Sequence, residues 1–266
     1  MTQNPGSPTP RVVLLDIEGT TLPVAFVHKV LFPYARAHLP ALLVQQHDNP
    51  VVVQALAETA QLAPGVPAAE QLERWMDTDA KVAPLKSLQG LCWEQGYRQG
   101  ELVADLYPDV VPTLQAWKAA GLTLAVYSSG SEAAQKLIYG YTEQGDVTSL
   151  FSAFFDLKVG GKRESASYRA IVQQAGWVAA DVLFLSDVVA ELEAAEQAGL
   201  QVCQIARPED GTVCGVRHRV AASLPQAARL FGLPEGAYWG NDDQPAHQLV
   251  GYSCNGPLLR CRPGQF

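Results

Sequence analysis

The sequence predicts an α/β fold, a doubly wound, mainly parallel sheet with a helical cap inserted after its first strand. Three observations carry this reading. Short apolar runs at 12–15, 122–127 and 182–185 each stop at a polar residue suited to chemistry, as buried parallel strands do when their carboxyl ends face a ligand. Segments of helical period separate them, and strand–helix–strand order implies right-handed crossovers. Finally, the stretch from Leu22 to Asp105 is rich in Ala, Leu and Gln and broken by Pro33, Pro40, Pro50, Pro64, Pro67 and Pro84. It reads as several short helices folded over the sheet rather than part of it.

In chain order, residues 1–10 read as a disordered lead-in, with neither the basic start nor the apolar stretch of a secretory signal. Arg11 to Leu15 forms the first strand and stops at Asp16. After the cap, Thr113 to Ala120 carries Leu114 and Trp117 on one helical face and ends at Gly121. The next strand, to Tyr127, leads into Ser128-Ser129-Gly130-Ser131. Ser131 is placed to cap a helix running to about Tyr141, with Glu132 near the positive end of its dipole. Ser165 or Ser167 opens a helix that ends at Gly176, and Val182 to Leu185 leads into Ser186-Asp187. A helix from Val188 to Ala198, closed by Gly199, precedes a last apolar stretch, Leu200 to Ala206. The expected organisation is a core of 11–21 and 106–233, a cap of 22–105, and a tail, 234–266, of Gly, Pro, Asn and Gln with isolated aromatics such as Tyr238 and Trp239, to which no role is assigned.

Composition bounds the function. A chain of 266 residues with 48% hydrophobic content has material for a sizeable core. A formal charge of −8 argues against nucleic acid as a partner, and no apolar run approaches the ~20 residues of a membrane span. Five scattered cysteines without Cys-x-x-Cys spacing suit reduced thiols and a cytoplasmic setting. His28, His38 and His47 put no two rings on adjacent helical turns, so zinc is not suggested.

Four segments carry candidate chemistry. In Asp16-Ile17-Glu18-Gly19-Thr20-Thr21, an aspartate after a buried strand can attack phosphorus, provided a cation such as Mg²⁺ screens the repulsion between carboxylate and phosphate. Ser128 and Ser129 bring hydroxyls and turn amides to a helix start, where an anion is favoured. Lys162, in Gly160-Gly161-Lys162-Arg163-Glu164, could neutralise both Asp16 and a phosphate, with Lys158 a competitor for that role. Asp187 could complete a metal's shell, with Glu191 one helical turn later supporting it. Singly, each segment reads as an ordinary cap, turn or solvated charge; in this order, each at its strand end, they point to one site.

This order resembles the four-motif pattern of the haloacid dehalogenase-like superfamily from about Val12 to Ala206. Within it, Asp16-Ile-Glu-Gly-Thr-Thr21, Phe26-Val27, Leu31-Phe-Pro-Tyr-Ala35, Tyr127-Ser-Ser-Gly-Ser131, Gly161-Lys162 and Phe184-Leu-Ser-Asp187 resemble the acireductone synthase family, the enolase-phosphatases of methionine salvage. The resemblance implies Mg²⁺ held at Asp16, Glu18 and Asp187, substrate bound by Ser128, Ser129 and Lys162, and Asp16 and Glu18 as the catalytic pair. It implies a small phosphorylated diketone, 2,3-diketo-5-methylthiopentyl-1-phosphate, as substrate and a monomer as the working form. Glu18 departs from the wider superfamily, whose phosphatases usually carry a second aspartate there. A generic phosphatase acting on a sugar phosphate or phosphoglycolate is the alternative. A dehalogenase would need no metal, and a non-catalytic relative would not need the complete set Asp16, Ser128, Lys162 and Asp187.

Overall fold

Side chains alternate across each strand, and in this chain both sides of the strands are apolar, so helices cover both faces. The structure, a computed structural model, describes residues 8–236. Its six strands are β1 (Val12–Leu15), β2 (Thr123–Tyr127), β3 (Ala153–Phe155), β4 (Val182–Ser186), β5 (Gln201–Ile205) and β6 (Arg219–Ala221). They pair in parallel throughout, in the order β3-β2-β1-β4-β5-β6.

Val13, Leu15, Val126, Leu183 and Ile205 pack on one side against Leu114 and Trp117 of α6 (Val110–Ala119), Tyr139 of α7 (Glu132–Gly140) and Ala227 of α10 (Leu224–Phe231). Val12, Leu14, Tyr127 and Phe184 face the other way, onto Tyr168 and Ile171 of α8 (Ser165–Ala175) and Leu192 and Ala195 of α9 (Val189–Gln197). The chain winds from β1 outward to β2 and β3, then returns to β4 on the opposite side of β1. The strand order therefore reverses between β1 and β4, the place where open α/β sheets take their ligands.

Between β1 and β2 the chain forms α1 (Val24–Phe26), a π-helical turn (Val27–Leu31), α2 (Phe32–Gln45), α3 (Pro50–Leu62), α4 (Ala68–Asp77) and α5 (Ala83–Arg98). Helices α2 to α5 share their own core, including Leu39, Leu42, Val52, Leu72, Leu85 and Leu88. The prolines here mostly begin helices rather than break them. Pro33, Pro50 and Pro84 occupy first-turn positions, where no N–H is needed, and Pro67 is the residue before α4. Pro40 lies inside α2, which continues through it; the burial of Ala35, Leu39 and Leu42 on one side offsets the backbone bond that proline forgoes.

Other elements were missed or displaced. β3 and β6, three residues each, and α10 lack a counterpart in the sequence reading, and α6 starts at Val110 rather than Thr113. The beginning of the expected tail is docked: Trp117 Nε1 donates to the Pro234 carbonyl at 2.8 Å and Thr113 Oγ1 to that of Glu235 at 3.2 Å. The rest of that tail, 237–266, and residues 1–7 of the lead lie outside the described residues.

Candidate active site

Asp16 ends β1 in a buried position, and its backbone N–H continues the ladder to the Leu185 carbonyl of β4 at 2.9 Å. One carboxylate oxygen accepts the Ile17 amide at 2.7 Å and stands 2.6 Å from Lys162 Nζ; the other accepts from Ser186 Oγ at 3.1 Å. The chain then turns sharply through Gly19. At φ +68° its backbone is left-handed, and a Cβ there would lie 2.6 Å from Asp187 Oδ2, so glycine is what lets the loop after β1 nest against the end of β4.

Lys162 is almost as buried as Asp16, and three hydroxyls aim it. Tyr127 Oη donates to the Gly160 carbonyl at 2.8 Å, Ser167 Oγ to that of Gly161 at 2.8 Å, and Tyr168 Oη to that of Lys162 itself at 2.7 Å. Gly160 takes φ +127°, and a Cβ there would fall 2.2 Å from Ser167 Oγ. Lys158, the competitor, extends into solvent with its ammonium 3.7 Å from Asp156. Lys162 is the lysine that enters the site.

Glu191 departs from its expected role. Instead of supporting Asp187 it lies 2.7 Å from Lys162 Nζ and 3.0 Å from Ser186 Oγ. One ammonium thus links two buried carboxylates, Asp16 and Glu191, with the Ser186 hydroxyl between them. Burial works against the charge on Lys162, but Asp16 and Glu191 outweigh it and hold its pKa above that of an ordinary lysine. Burial, with Asp16 adding, pushes Glu191 up to about 7 while Lys162 opposes. Burial and then Asp16 likewise push Asp187 up to about 7. Glu18 is accessible within the cleft; the protein surrounding it raises its pKa, Asp16 adds to this, and His28 oppose it together with Lys162 and Lys81.

Ser128 and Ser129 follow β2, as expected. Ser128 Oγ accepts the Gly130 amide at 3.2 Å, Ser131 caps α7 by accepting from Ala134 at 3.2 Å, and Gln135 ties the turn down through the Gly130 and Phe155 carbonyls at 2.9 and 2.7 Å. Asp16, Glu18, Ser128, Ser129, Lys162 and Asp187 all line one cavity of about 270 Å³, together with Val24, Val188 and Glu191. A buried carboxylate, an accessible one, a buried ammonium and a helix start suited to an anion therefore share one cleft.

Residues 10–199 match the family of haloacid dehalogenase-like hydrolases. The chain belongs to that family. The hydrolase is 65% identical over 85% of its length to Enolase-phosphatase E1 of Gluconacetobacter diazotrophicus, covering 96% of that relative. It is 55% identical over 84% of its length to the Enolase-phosphatase E1 of Gluconobacter oxydans, covering 98% of it. Among solved structures, the UTR4 protein of Saccharomyces cerevisiae superposes with a TM-score of 0.68 at 33% identity, over 80% of this chain and 98% of that one. The hydrolase is a phosphatase.

Among the described residues no three His, Cys, Asp or Glu side chains converge on one point. The cavity nonetheless holds Asp16, Glu18, Asp187 and Glu191 against Lys162 as its lysine. That excess of carboxylates suits a divalent cation, and Mg²⁺ is typically held by one or two carboxylates plus waters and substrate phosphate rather than by a full protein cage.

Proposed function

We propose that this phosphatase is a Mg²⁺-dependent enolase-phosphatase of methionine salvage, converting 2,3-diketo-5-methylthiopentyl-1-phosphate into the acireductone 1,2-dihydroxy-3-keto-5-methylthiopentene and phosphate, as a cytoplasmic monomer. The observation that carries the reading is the contact of Asp16 with Lys162 in a cavity that also exposes the longer carboxylate of Glu18. Asp16 and Asp187 would hold Mg²⁺ through their carboxylates, and Glu18 would contribute its main-chain carbonyl. When bound, the ion supplies Lewis acidity for the enolate oxygen and neutralises phosphoryl charge.

The remaining chemistry falls to the chain. Ser128, Ser129 and the start of α7 bind the phosphoryl oxygens, with Lys162 beside them. After the substrate has enolised, losing a C1 proton and gaining one on its C2 oxygen, an Asp16 carboxylate oxygen attacks phosphorus while the ester P–O bond breaks, and Glu18 delivers its proton to the departing enol oxygen. Glu18 then takes a proton from water, whose oxygen attacks the aspartyl phosphate; the P–O bond to Asp16 breaks and inorganic phosphate leaves. The helices of 22–105 act as the cap, excluding water and enclosing the methylthioalkyl end.

Incubation with the diketo phosphate, following enol absorbance and phosphate release together, tests this. Both signals should rise and both should vanish with EDTA. Phosphate release from sugar phosphates without turnover of the diketone would replace the reading with a generic phosphatase.

A further inference from the structure

Arg207 follows β5, two strands away from β1, yet it is buried and reaches the loop that carries Glu18. Its Nη2 and Nε both donate to the Thr20 carbonyl, at 2.7 and 3.2 Å, and Nη1 to Asp109 Oδ1 at 2.8 Å. The other oxygen of Asp109 accepts the Leu224 amide at the start of α10 at 2.8 Å. The guanidinium also lies 4.0 Å from the centre of the Tyr107 ring. Tyr107 in turn is bonded twice: its amide donates to the Thr21 carbonyl at 3.1 Å, and its hydroxyl donates to Asp210. The same Asp210 oxygen receives the Val24 amide at 3.4 Å, and Val24 lines the catalytic cavity.

The network therefore touches the chain at both places where it crosses between the sheet and the helices of 22–105. Val24 lies on the outward crossing, Tyr107 on the return, and Thr20 and Thr21 end the turn that begins with Asp16 and Glu18. Of the network's residues only Val24 lines the cavity; Arg207, Tyr107 and Asp210 stand outside its lining. We propose that Arg207 and Asp210 are positioning residues for phosphoryl transfer, fixing the Glu18 turn and both crossings to the carboxyl end of β5 as one unit. A salt bridge needed only for stability would require neither the fork of Arg207 on Thr20 nor the meeting of Tyr107 and Val24 at one carboxylate. Catalysis is sensitive to such placement, since a displacement of ~1 Å can cost about 10²-fold in rate.

This rests on phosphoryl transfer at Asp16 but not on the identity of the substrate, so p-nitrophenyl phosphate serves as probe. Tyr107→Phe keeps the ring beneath Arg207 and removes only the hydroxyl; Asp210→Asn weakens the same link from the other side. Each should lower kcat roughly tenfold with KM and melting temperature little changed, and the double variant should lose little more than Asp210→Asn alone, because the Tyr107 hydroxyl acts through that carboxylate. Arg207→Lys retains the charge without the fork and should lose about 10²-fold in kcat. If that variant does not fold, the other two decide. Unchanged kcat in folded Tyr107→Phe and Asp210→Asn, or losses that multiply in the double variant, would overturn the proposal. Failure of the unaltered protein to cleave the probe would instead count against the phosphatase chemistry.

Discussion

The ammonium of Lys162 stands 2.6 Å from the carboxylate of Asp16, both groups being buried. The Asp16 carboxylate is therefore held in one orientation by a buried ammonium, and the same ammonium is shared with Glu191. Removing one member of a buried pair typically costs about 3–5 kcal/mol. Lys162→Met should lower unfolding free energy on that scale and reduce turnover by more than ~10²-fold, whereas Glu191→Gln, which keeps the hydrogen bonds, should fall well short of both. Denaturant melts and steady-state rates on the two variants check the ordering.

Asp16→Asn retains the size of the side chain but cannot form the aspartyl phosphate. Phosphate release should stop while the folded state persists. Acid-quenched incubation with radiolabelled substrate should trap label on the unaltered protein and none on the variant. Normal release by Asp16→Asn would rule out the covalent route.

Glu18→Asp preserves charge and the backbone carbonyl but withdraws the carboxylate by about one bond length. General acid–base catalysis is worth ~10²–10⁴-fold, so turnover should fall steeply while Mg²⁺ titration is nearly unchanged. Enol formation and phosphate release are to be followed separately, because Glu18 is assigned a proton transfer only in the second. Unchanged rates for both steps would remove any special role for the glutamate.

Gly19→Ala forces a side chain into a left-handed turn and to within 2.6 Å of Asp187 Oδ2. Strain of this kind costs about 1–3 kcal/mol. The larger effect should be on Mg²⁺-supported turnover, through displacement of Asp187, and parallel metal titration and thermal melts separate the two.

In the absence of metal, Asp187 is raised from 3.8 to about 7. A carboxyl group raised on folding favours the folded state below its ordinary pKa, and that contribution is lost as pH rises through about 7. With Asp187 as the proposed metal ligand, protons and Mg²⁺ would compete for one carboxylate, and apparent Mg²⁺ affinity should weaken roughly tenfold for each pH unit below 7. Calorimetric titrations at pH 6 and 8 test this; equal affinities would show that Asp187 does not set metal binding.

Much of the site was legible because a buried parallel strand is a continuous apolar run, and its polar successor lies where ligands bind. Asp16, Ser128 and Asp187 were found that way. β3 and β6 were not, since three residues at a sheet edge, such as the half-buried Ala153 and Phe154, give no period to read. Glu191 was placed one turn after Asp187 by helical spacing, which gives a direction along the helix but not the partner a side chain will choose. Proline misled at Pro40, where the packing of α2 overrides local preference. Arg207 left no signal at all: an arginine between alanine and proline after a strand reads as a solvated loop residue, and only the fold brings it against Thr20.

The central place of β1 also has a consequence for how the chain is made. Residues 12–15 emerge from the ribosome early, yet they pair with 123–126 on one side and 182–185 on the other. Closing so long a loop delays pairing of this kind. Until β4 has emerged, the strand that leads to Asp16 keeps an unpaired edge, and an apolar one. The nascent chain is thus most open to misassociation during the interval in which its helices of 22–105, built on local contacts, are already able to form. A truncation before Val182 should therefore yield helical but aggregation-prone protein rather than a smaller working enzyme.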